Sequence, residues 1–139
     1  MKKGGRKFSA LVVDDDQVIR NFEEKLLARF ELETKVVKNG EEALKLFREG
    51  YTFDVVVMDM EMPVKNGPEW YGGTCRPLVQ ATRALRAMGV DCMIVGVTSR
   101  GDGPEKAELE AAGLNCCWEK PLNDKIVRTI LDELAKKSS

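Results

Sequence analysis

Three aspartates stand where two short apolar runs end, a position that allows them to share one divalent cation. Asp14 and Asp15 follow the run that starts at Ala10, and Asp59 closes the run that starts at Phe53. If the two runs are neighbouring strands, two like charges about 4 Å apart repel by roughly 4 kcal/mol at an effective dielectric constant of 20. Mg²⁺ offsets such repulsion, since it prefers carboxylate and carbonyl oxygens and keeps several waters. The sequence therefore predicts a magnesium site.

Two further polar residues follow the next two apolar runs. Thr98 comes after the fourth run, and Lys120 lies just past the fifth. Either one alone is typical of an ordinary strand or surface position. Ligands of an open parallel sheet bind beyond the carboxyl ends of its strands, so their shared placement with Asp59 favours one functional site.

A helix-capping role explains one aspartate of this region but does not explain Asp59. Asp16 precedes a helical pattern and is predicted to be its N-cap. Asp59 is followed by Met60–Pro63, where no helix begins for it to cap. Asp59 is therefore the stronger candidate for chemistry.

The elements that must position these residues alternate between short apolar runs and longer segments of helical period. This pattern is typical of a parallel sheet covered by helices on both faces. We expect an α/β fold with a doubly wound sheet of five parallel strands, and if their order is 2-1-3-4-5 the first and third strands are neighbours. The predicted strands are Ala10–Asp14, Thr34–Lys38, Phe53–Asp59, Cys92–Val97 and Asn115–Trp118.

Apolar spacing and capping residues locate the helices. The stripe Val18, Ile19, Phe22, Leu26, Leu27 and Phe30 predicts the first helix, and an equivalent stripe from Ile126 to Leu134 predicts the last. Asn39 is the expected N-cap of the second helix, and the third should run from about Leu78 to Met88. Pro104 and Gly113 bracket the fourth. Residues 1–7 and 136–139 are expected to be frayed.

Composition excludes several classes of function. The 139 residues contain no histidine, so histidine-dependent catalysis requires a partner. Four of the 22 basic residues lie in the first seven positions, which leaves a body of net charge −5 that does not favour nucleic-acid binding. No apolar run has the roughly 20 residues of a membrane span. The four cysteines show no zinc-site spacing and are expected to be reduced thiols.

Five motifs in order carry a family resemblance from about Phe8 to Leu134. The segments VVDDD at 12–16, VVVMDMEMP at 55–63, Asn66-Gly67, GVTSR at 96–100 and EKPL at 119–122 together resemble the receiver domain of two-component signalling. The details of these motifs are most similar to those of stand-alone plant response regulators and of the receivers of hybrid histidine kinases. The resemblance implies a flavodoxin-like (βα)5 fold with the strand order 2-1-3-4-5. It also implies a domain over residues 8–136, preceded by a basic tail at 1–7.

The resemblance also implies a role for each site residue. Asp59 would accept a phosphoryl group from a phosphohistidine, and Thr98 and Lys120 would contact the phosphoryl oxygens. Mg²⁺ would be bound by Asp15, by Asp59 and by the backbone carbonyl of Glu61, and by Asp14 directly or through water. The implied partner is a histidine-containing phosphotransfer protein or a histidine kinase. The expected location is the cytoplasm, with the nucleus as an alternative.

The chain departs from the family pattern in two places. Residues 68–77, between Pro68 and Pro77, form an apparent insertion before the third helix and predict a surface loop. The position three before Lys120, commonly aromatic in receivers, is Cys117. Trp118 is one residue later and should face the opposite side of the sheet, so it cannot substitute.

Other interpretations share some of these residues. The segment Asp14–Val18 also matches the nucleophile motif of haloacid-dehalogenase-type phosphatases, which leaves Asp59 without a role. A receiver-like interaction module that is not phosphorylated requires loss of an acidic or Lys position, and none is missing. Within the receiver interpretation, a phosphate sink that acts as a phosphohistidine phosphatase remains the alternative to a relay.

Overall fold

The computed structural model describes residues 2–3, 6–59, 76–98, 110–119 and 122–138. The strands are β1 Lys2–Lys3, β2 Arg6–Lys7, β3 Ser9–Val13, β4 Glu33–Val37, β5 Val55–Asp59, β6 Met93–Thr98 and β7 Cys116–Glu119. The helices are α1 Gln17–Arg29, α2 Gly40–Arg48, α3 Arg76–Ala87 and α4 Asp124–Ser138. The five predicted strands and the first, second, third and last predicted helices are confirmed with boundary shifts of a few residues, which is the usual uncertainty of helix and strand ends.

The main sheet has five parallel strands in the order β4-β3-β5-β6-β7. In chain order of the sheet strands this is 2-1-3-4-5, so the predicted fold class is confirmed. Strand β3 pairs with β4 on one side and with β5 on the other. The direction in which successive strands are added to the sheet therefore reverses at β3. The crevice beyond the carboxyl end of β3 is the expected place for a ligand.

The core lies on both faces of this sheet. Val55 and Val57 face one cluster of buried side chains, and Val56 and Met58 face the other, because successive strand side chains point to opposite faces. The α1/α4 face also contains Leu26 and Leu27 of α1 and Val127 and Ile130 of α4. The α2/α3 face also contains Ala43 of α2 and Ala81 and Leu85 of α3. All five residues of β5 are buried as a result.

Two predicted caps are confirmed at atomic level. The Asp16 carboxylate accepts hydrogen bonds from the backbone N–H of Val18 at 2.8 Å and of Ile19 at 3.4 Å. Asn39 Oδ1 accepts from Glu42 N at 2.9 Å, and Glu42 Oε1 accepts from Lys38 N at 2.8 Å. Side-chain oxygens thus satisfy N–H groups that the first turn of a helix leaves without partners.

The predicted stripe of α1 is only partly correct. Leu26 and Leu27 are buried as expected, whereas Val18 is 73% exposed and Phe22 is 47% exposed. At about 100° per residue, Val18 and Phe22 lie roughly 135° and 95° from the centre of the buried residues Glu23, Leu26 and Leu27. The apolar stripe is therefore wider than the face that the sheet can cover, and its edge remains in solvent.

At the described residues of both ends, the prediction of fraying is wrong. Lys2–Lys3 pair antiparallel with Arg6–Lys7 in a short hairpin, and β1 lies against α4. Helix α4 continues to Ser138. Of the predicted 68–77 loop, residues 76 and 77 belong to α3, and residues 68–75 lie outside the described part of the chain. The predicted fourth helix is described only over residues 110–112, which are helical.

No helix within the described ranges has the length and apolar character needed to cross a membrane. The thiols of Cys92, Cys116 and Cys117 are not joined in disulfides, and Cys75 lies outside the described residues.

Arg86, near the end of α3, binds two connections of the fold. Its guanidinium donates to the backbone oxygens of Gly113, Val90 and Cys92 at 2.8–3.1 Å, and to Asn115 Oδ1 at 2.9 Å. Gly113 has φ +121°, and a Cβ there would lie 2.7 Å from the Arg86 side chain. The Arg86 side chain therefore joins the end of α3 to the segments that enter β6 and β7.

Replacing Arg86 by alanine should lower the free energy of unfolding by about 2–4 kcal/mol, because several carbonyl groups lose a charged donor at once. Urea unfolding measures this change. Arg83→Ala is the matched control, since Arg83 is exposed on the same helix and should change stability by less than about 0.5 kcal/mol. Equal losses in the two variants would contradict the role of Arg86.

Candidate acidic metal site

The three predicted carboxylates meet at the carboxyl ends of β3 and β5. Val13 of β3 pairs with Met58 of β5, so Asp14 and Asp59 leave adjacent strands at the same level. One oxygen each of Asp14, Asp15 and Asp59 lies within 4.8 Å of the others. Asp14 is 1% exposed and Asp59 is 5% exposed, whereas Asp15 is exposed. The cluster thus has a buried floor and an open side.

Backbone contacts hold Asp14 in this place. Its N–H donates to the Val37 carbonyl at 3.1 Å, which extends the β3–β4 ladder by one residue. Arg20 Nη1 donates to the Asp14 carbonyl oxygen at 2.7 Å, and the Asp16 N–H donates to Asp14 Oδ1 at 2.9 Å. The Asp14 carboxylate is therefore fixed before any ligand binds.

The donor set fits a hard divalent cation. All three side chains offer carboxylate oxygens, and the exposed Asp15 leaves one side of the cluster accessible to water. Mg²⁺ is commonly bound through one or two carboxylates while it keeps several waters. Asp16 is not part of this set, because its carboxylate caps α1.

The other predicted site residues are described less completely. Thr98 is the last residue of β6, and Val97 before it pairs with Asp59 of β5. The Thr98 backbone therefore lies at the same edge of the sheet as the acidic cluster. Glu61 and Lys120 lie outside the described residues, and their roles remain predictions.

Comparison with known proteins identifies the family. The family model for the response regulator receiver domain matches residues 10–132. The chain belongs to this family. Its relatives include Two-component response regulator 24 of Arabidopsis thaliana, 41% identical over 92% of this chain and 84% of that protein. Two-component response regulator ORR42 of Oryza sativa subsp. japonica is 39% identical over 97% of this chain and 92% of that protein.

Solved structures agree with the receiver fold. The chemotaxis response regulator CheY4 of Vibrio cholerae superimposes with a TM-score of 0.74 at 24% identity, over 92% of this chain and 98% of that chain. A Francisella response regulator receiver domain has a TM-score of 0.72 over 96% of this chain and 100% of that chain, also at 24% identity. At this level of identity the likeness concerns the fold of the receiver.

Two contributors to the site region were not found by sequence reasoning. Arg20 binds a backbone oxygen, and no residue-type pattern indicates such a contact. The exposure of Val18 and Phe22 beside the acidic cluster was missed because apolar residues at helical spacing normally indicate core. The available signal was that the apolar residues of α1 span a wider arc of the helix than its buried face does.

Charge repulsion within the acidic cluster predicts that the stability of the receiver depends on Mg²⁺. In EDTA, Asp59→Asn should raise the free energy of unfolding by about 1–3 kcal/mol, because it removes one of three clustered negative charges. With millimolar Mg²⁺ this advantage should shrink, since a cation that binds only the folded protein stabilises the wild type.

Urea unfolding with and without Mg²⁺ measures both effects. Asp16→Asn is the control, because it removes a nearby negative charge while asparagine still caps the helix. If Asp16→Asn reproduced the behaviour of Asp59→Asn, the effect would come from net charge and not from the cluster.

Proposed function

We propose that this receiver accepts a phosphoryl group from a phosphohistidine of a partner protein onto Asp59. The observation that supports the proposal most strongly is the convergence of Asp14, Asp15 and Asp59 within 4.8 Å at the carboxyl ends of β3 and β5. Family membership supports the same chemistry. The chain has no histidine, so the donor must be another molecule.

In the proposed reaction, a carboxylate oxygen of Asp59 attacks the phosphorus of the phosphohistidine. The new P–O bond forms as the P–N bond breaks, and the imidazole leaves and takes up a proton. The product is an acyl phosphate on Asp59. Water attack at phosphorus, or return of the phosphoryl group to a histidine, regenerates the carboxylate.

Each residue of the site has a separate role in the proposed reaction. Asp15, Asp59 and the Glu61 carbonyl, with Asp14 directly or through water, would hold Mg²⁺, whose positive charge would offset the charge of the transferring group. The hydrogen bonds to Asp14 keep its carboxylate in place, so little reorganisation accompanies the reaction. Thr98 would donate a hydrogen bond to one phosphoryl oxygen, and Lys120 would pair with another.

Transfer from a purified, phosphorylated histidine phosphotransfer protein tests the proposal. Asp59→Asn should remove labelling, because an amide does not attack phosphorus under these conditions, while Asp16→Asn should keep it. EDTA should slow labelling of the wild-type receiver by at least an order of magnitude. Undiminished labelling of Asp59→Asn would rule out Asp59 as the acceptor.

An apolar patch beside the site supports docking of a protein donor. Val18 and Phe22 lie one turn apart on α1, near its N-terminus, which follows Asp14 and Asp15 directly. Exposed apolar residues next to a reactive group favour a protein interface, because contact with a partner removes them from water. We infer that this patch contacts the surface around the donor histidine.

The double variant Val18→Ser/Phe22→Ser should raise the KM for a phosphotransfer protein about tenfold, since interface apolar side chains commonly contribute 1 kcal/mol or more. The rate with a small donor such as phosphoramidate should not change. Met88→Ser is the control, because Met88 is 41% exposed but lies at the end of α3. An equal loss with phosphoramidate would show a damaged site and not a docking surface.

The environment of Cys117 favours a phosphate-handling role, relay or phosphate sink, over an effector-recruiting switch. Cys117 packs against the α2/α3 face, and Trp118 packs against the α1/α4 face, so the tryptophan does not occupy the position that is aromatic in many receivers. The small side chain of a cysteine presents nearly the same surface whether or not the receiver is phosphorylated. A partner can distinguish the two states only if it binds one of them more tightly than the other.

Amide chemical shifts with Mg²⁺ and beryllofluoride, an acyl-phosphate mimic, test this preference. Changes should concentrate near Asp14, Asp15 and Asp59 and remain small over residues 122–134. Large shifts along those residues, together with phosphorylation-dependent binding of a partner there, would instead support an effector switch.

A further inference from the structure

Arg20 places a positive charge at the end of α1 where a helix normally favours negative charge. It is the fourth residue of this helix, and its side chain reaches back past the first turn, where Nη1 donates to the Asp14 carbonyl oxygen at 2.7 Å. The aligned peptide dipoles give the N-terminus of a helix a partial positive charge, so a cation there is unfavourable. The stability of α1 therefore does not explain this arginine.

The contact with Asp14 does not neutralise the guanidinium. The carbonyl oxygen is an uncharged acceptor, and among the residues that the structure describes no carboxylate forms an ion pair with Arg20. The Arg20 side chain is half-buried, so salt and water screen its charge less than that of a fully exposed side chain. The carbonyl that it binds belongs to the peptide group that joins Asp14 to Asp15, two members of the acidic cluster. The positive charge of Arg20 therefore lies beside that cluster.

We infer that Arg20 is the counter-charge of the acidic cluster in its cation-free state and thereby sets the affinity of the cluster for Mg²⁺. Without a cation, the guanidinium offsets part of the repulsion among Asp14, Asp15 and Asp59. The same guanidinium repels a cation that enters the cluster. Arg20 thus stabilises the cation-free protein at a cost in affinity for Mg²⁺. This inference rests on the magnesium site proposed above and adds a residue that controls its occupancy.

A purely structural role of Arg20 predicts the opposite result. If Arg20 only held the peptide between Asp14 and Asp15 in place, its removal would loosen two ligands and weaken Mg²⁺ binding. If its charge acts as inferred, removal of that charge strengthens Mg²⁺ binding. The sign of the change in affinity therefore distinguishes the two roles.

Titration of Mg²⁺ into the ¹⁵N-labelled full-length protein, followed through the amide shifts near Asp14 and Asp59, measures this affinity. Arg20→Met should bind Mg²⁺ about fivefold more tightly than the wild type, because one positive charge beside a divalent cation is removed. Arg20→Gln should behave in the same way, since it keeps a donor without the charge. Arg20→Lys keeps both and should bind as the wild type does. Each variant is checked for native amide dispersion first.

Arg29→Met is the control for net charge. Arg29 is exposed on the same helix, and nine residues at 1.5 Å per residue place it about 13.5 Å from Arg20 along the axis. This distance exceeds the Debye length of about 8 Å at physiological ionic strength, so the control should bind Mg²⁺ as the wild type does. At about 1 M salt the Debye length is about 3 Å, and the difference between Arg20→Met and the wild type should fall below about twofold.

The cation-free protein gives a second readout, which needs no Mg²⁺. In EDTA, Arg20→Met should lower the urea midpoint of unfolding more than Arg20→Lys does. The loss should be smaller in an Asp59→Asn background, because the cluster then has one negative charge fewer to compensate. Equal losses in the two backgrounds would overturn the counter-charge role and leave only the backbone hydrogen bond.

The titration also separates this inference from the proposed function. Unchanged or weaker Mg²⁺ binding by Arg20→Met would overturn the role of Arg20, while the acceptance of a phosphoryl group by Asp59 would still stand. The absence of saturable Mg²⁺ shifts in the wild type would overturn the magnesium site itself, and this inference with it.

Discussion

Electrostatic repulsion among three carboxylates is the constraint on which the rest of this receiver depends. Asp14, Asp15 and Asp59 bring oxygens within 4.8 Å of one another, and two of the three side chains are buried. Such an arrangement is unfavourable without compensating positive charge, so the fold must hold it in place at a cost in stability. In the proposed reaction, a bound cation would offset this repulsion and the transferring phosphoryl group would occupy the same place, so the unfavourable cluster would be the source of the chemistry.

The parallel sheet imposes the arrangement. The register of β3 on β5 brings Asp14 and Asp59 to the same level, and the hydrogen bond from Asp14 N to Val37 O fixes the residue from the other side. Buried side chains pack against both faces of the sheet, because alternate residues of each strand point to opposite faces. Arg86 then joins α3 to the connections at the far end of the sheet. The positions of the carboxylates are therefore a consequence of packing throughout the domain.

Local sequence signals predicted much of this structure because the interactions that produce them are local. Asp16 and Asn39 cap helices through side-chain contacts only two or three residues away, and both caps are present. The strand order is a long-range property, and its prediction drew on the family resemblance more than on periodicity. The same resemblance, and not spacing alone, predicted the roles of Glu61 and Lys120.

The features that sequence did not predict depend on tertiary context. Whether Val18 and Phe22 are buried depends on how α1 is rotated against the sheet, which the spacing of apolar residues does not fix. The pairing of Lys2–Lys3 with Arg6–Lys7 has no hydrophobic alternation to indicate it.

Direct localisation of the phosphoryl group tests the central claim, that the acidic cluster makes Asp59 a cation-dependent phosphoacceptor. The receiver is incubated with phosphoramidate, in Mg²⁺ or in EDTA, and then treated with sodium borohydride, which reduces an acyl phosphate to a primary alcohol and so converts the aspartate to homoserine. Peptide mass spectrometry should find homoserine at position 59, and only in the sample with Mg²⁺. Homoserine at position 14 or 15, or equal conversion in EDTA, would contradict the account.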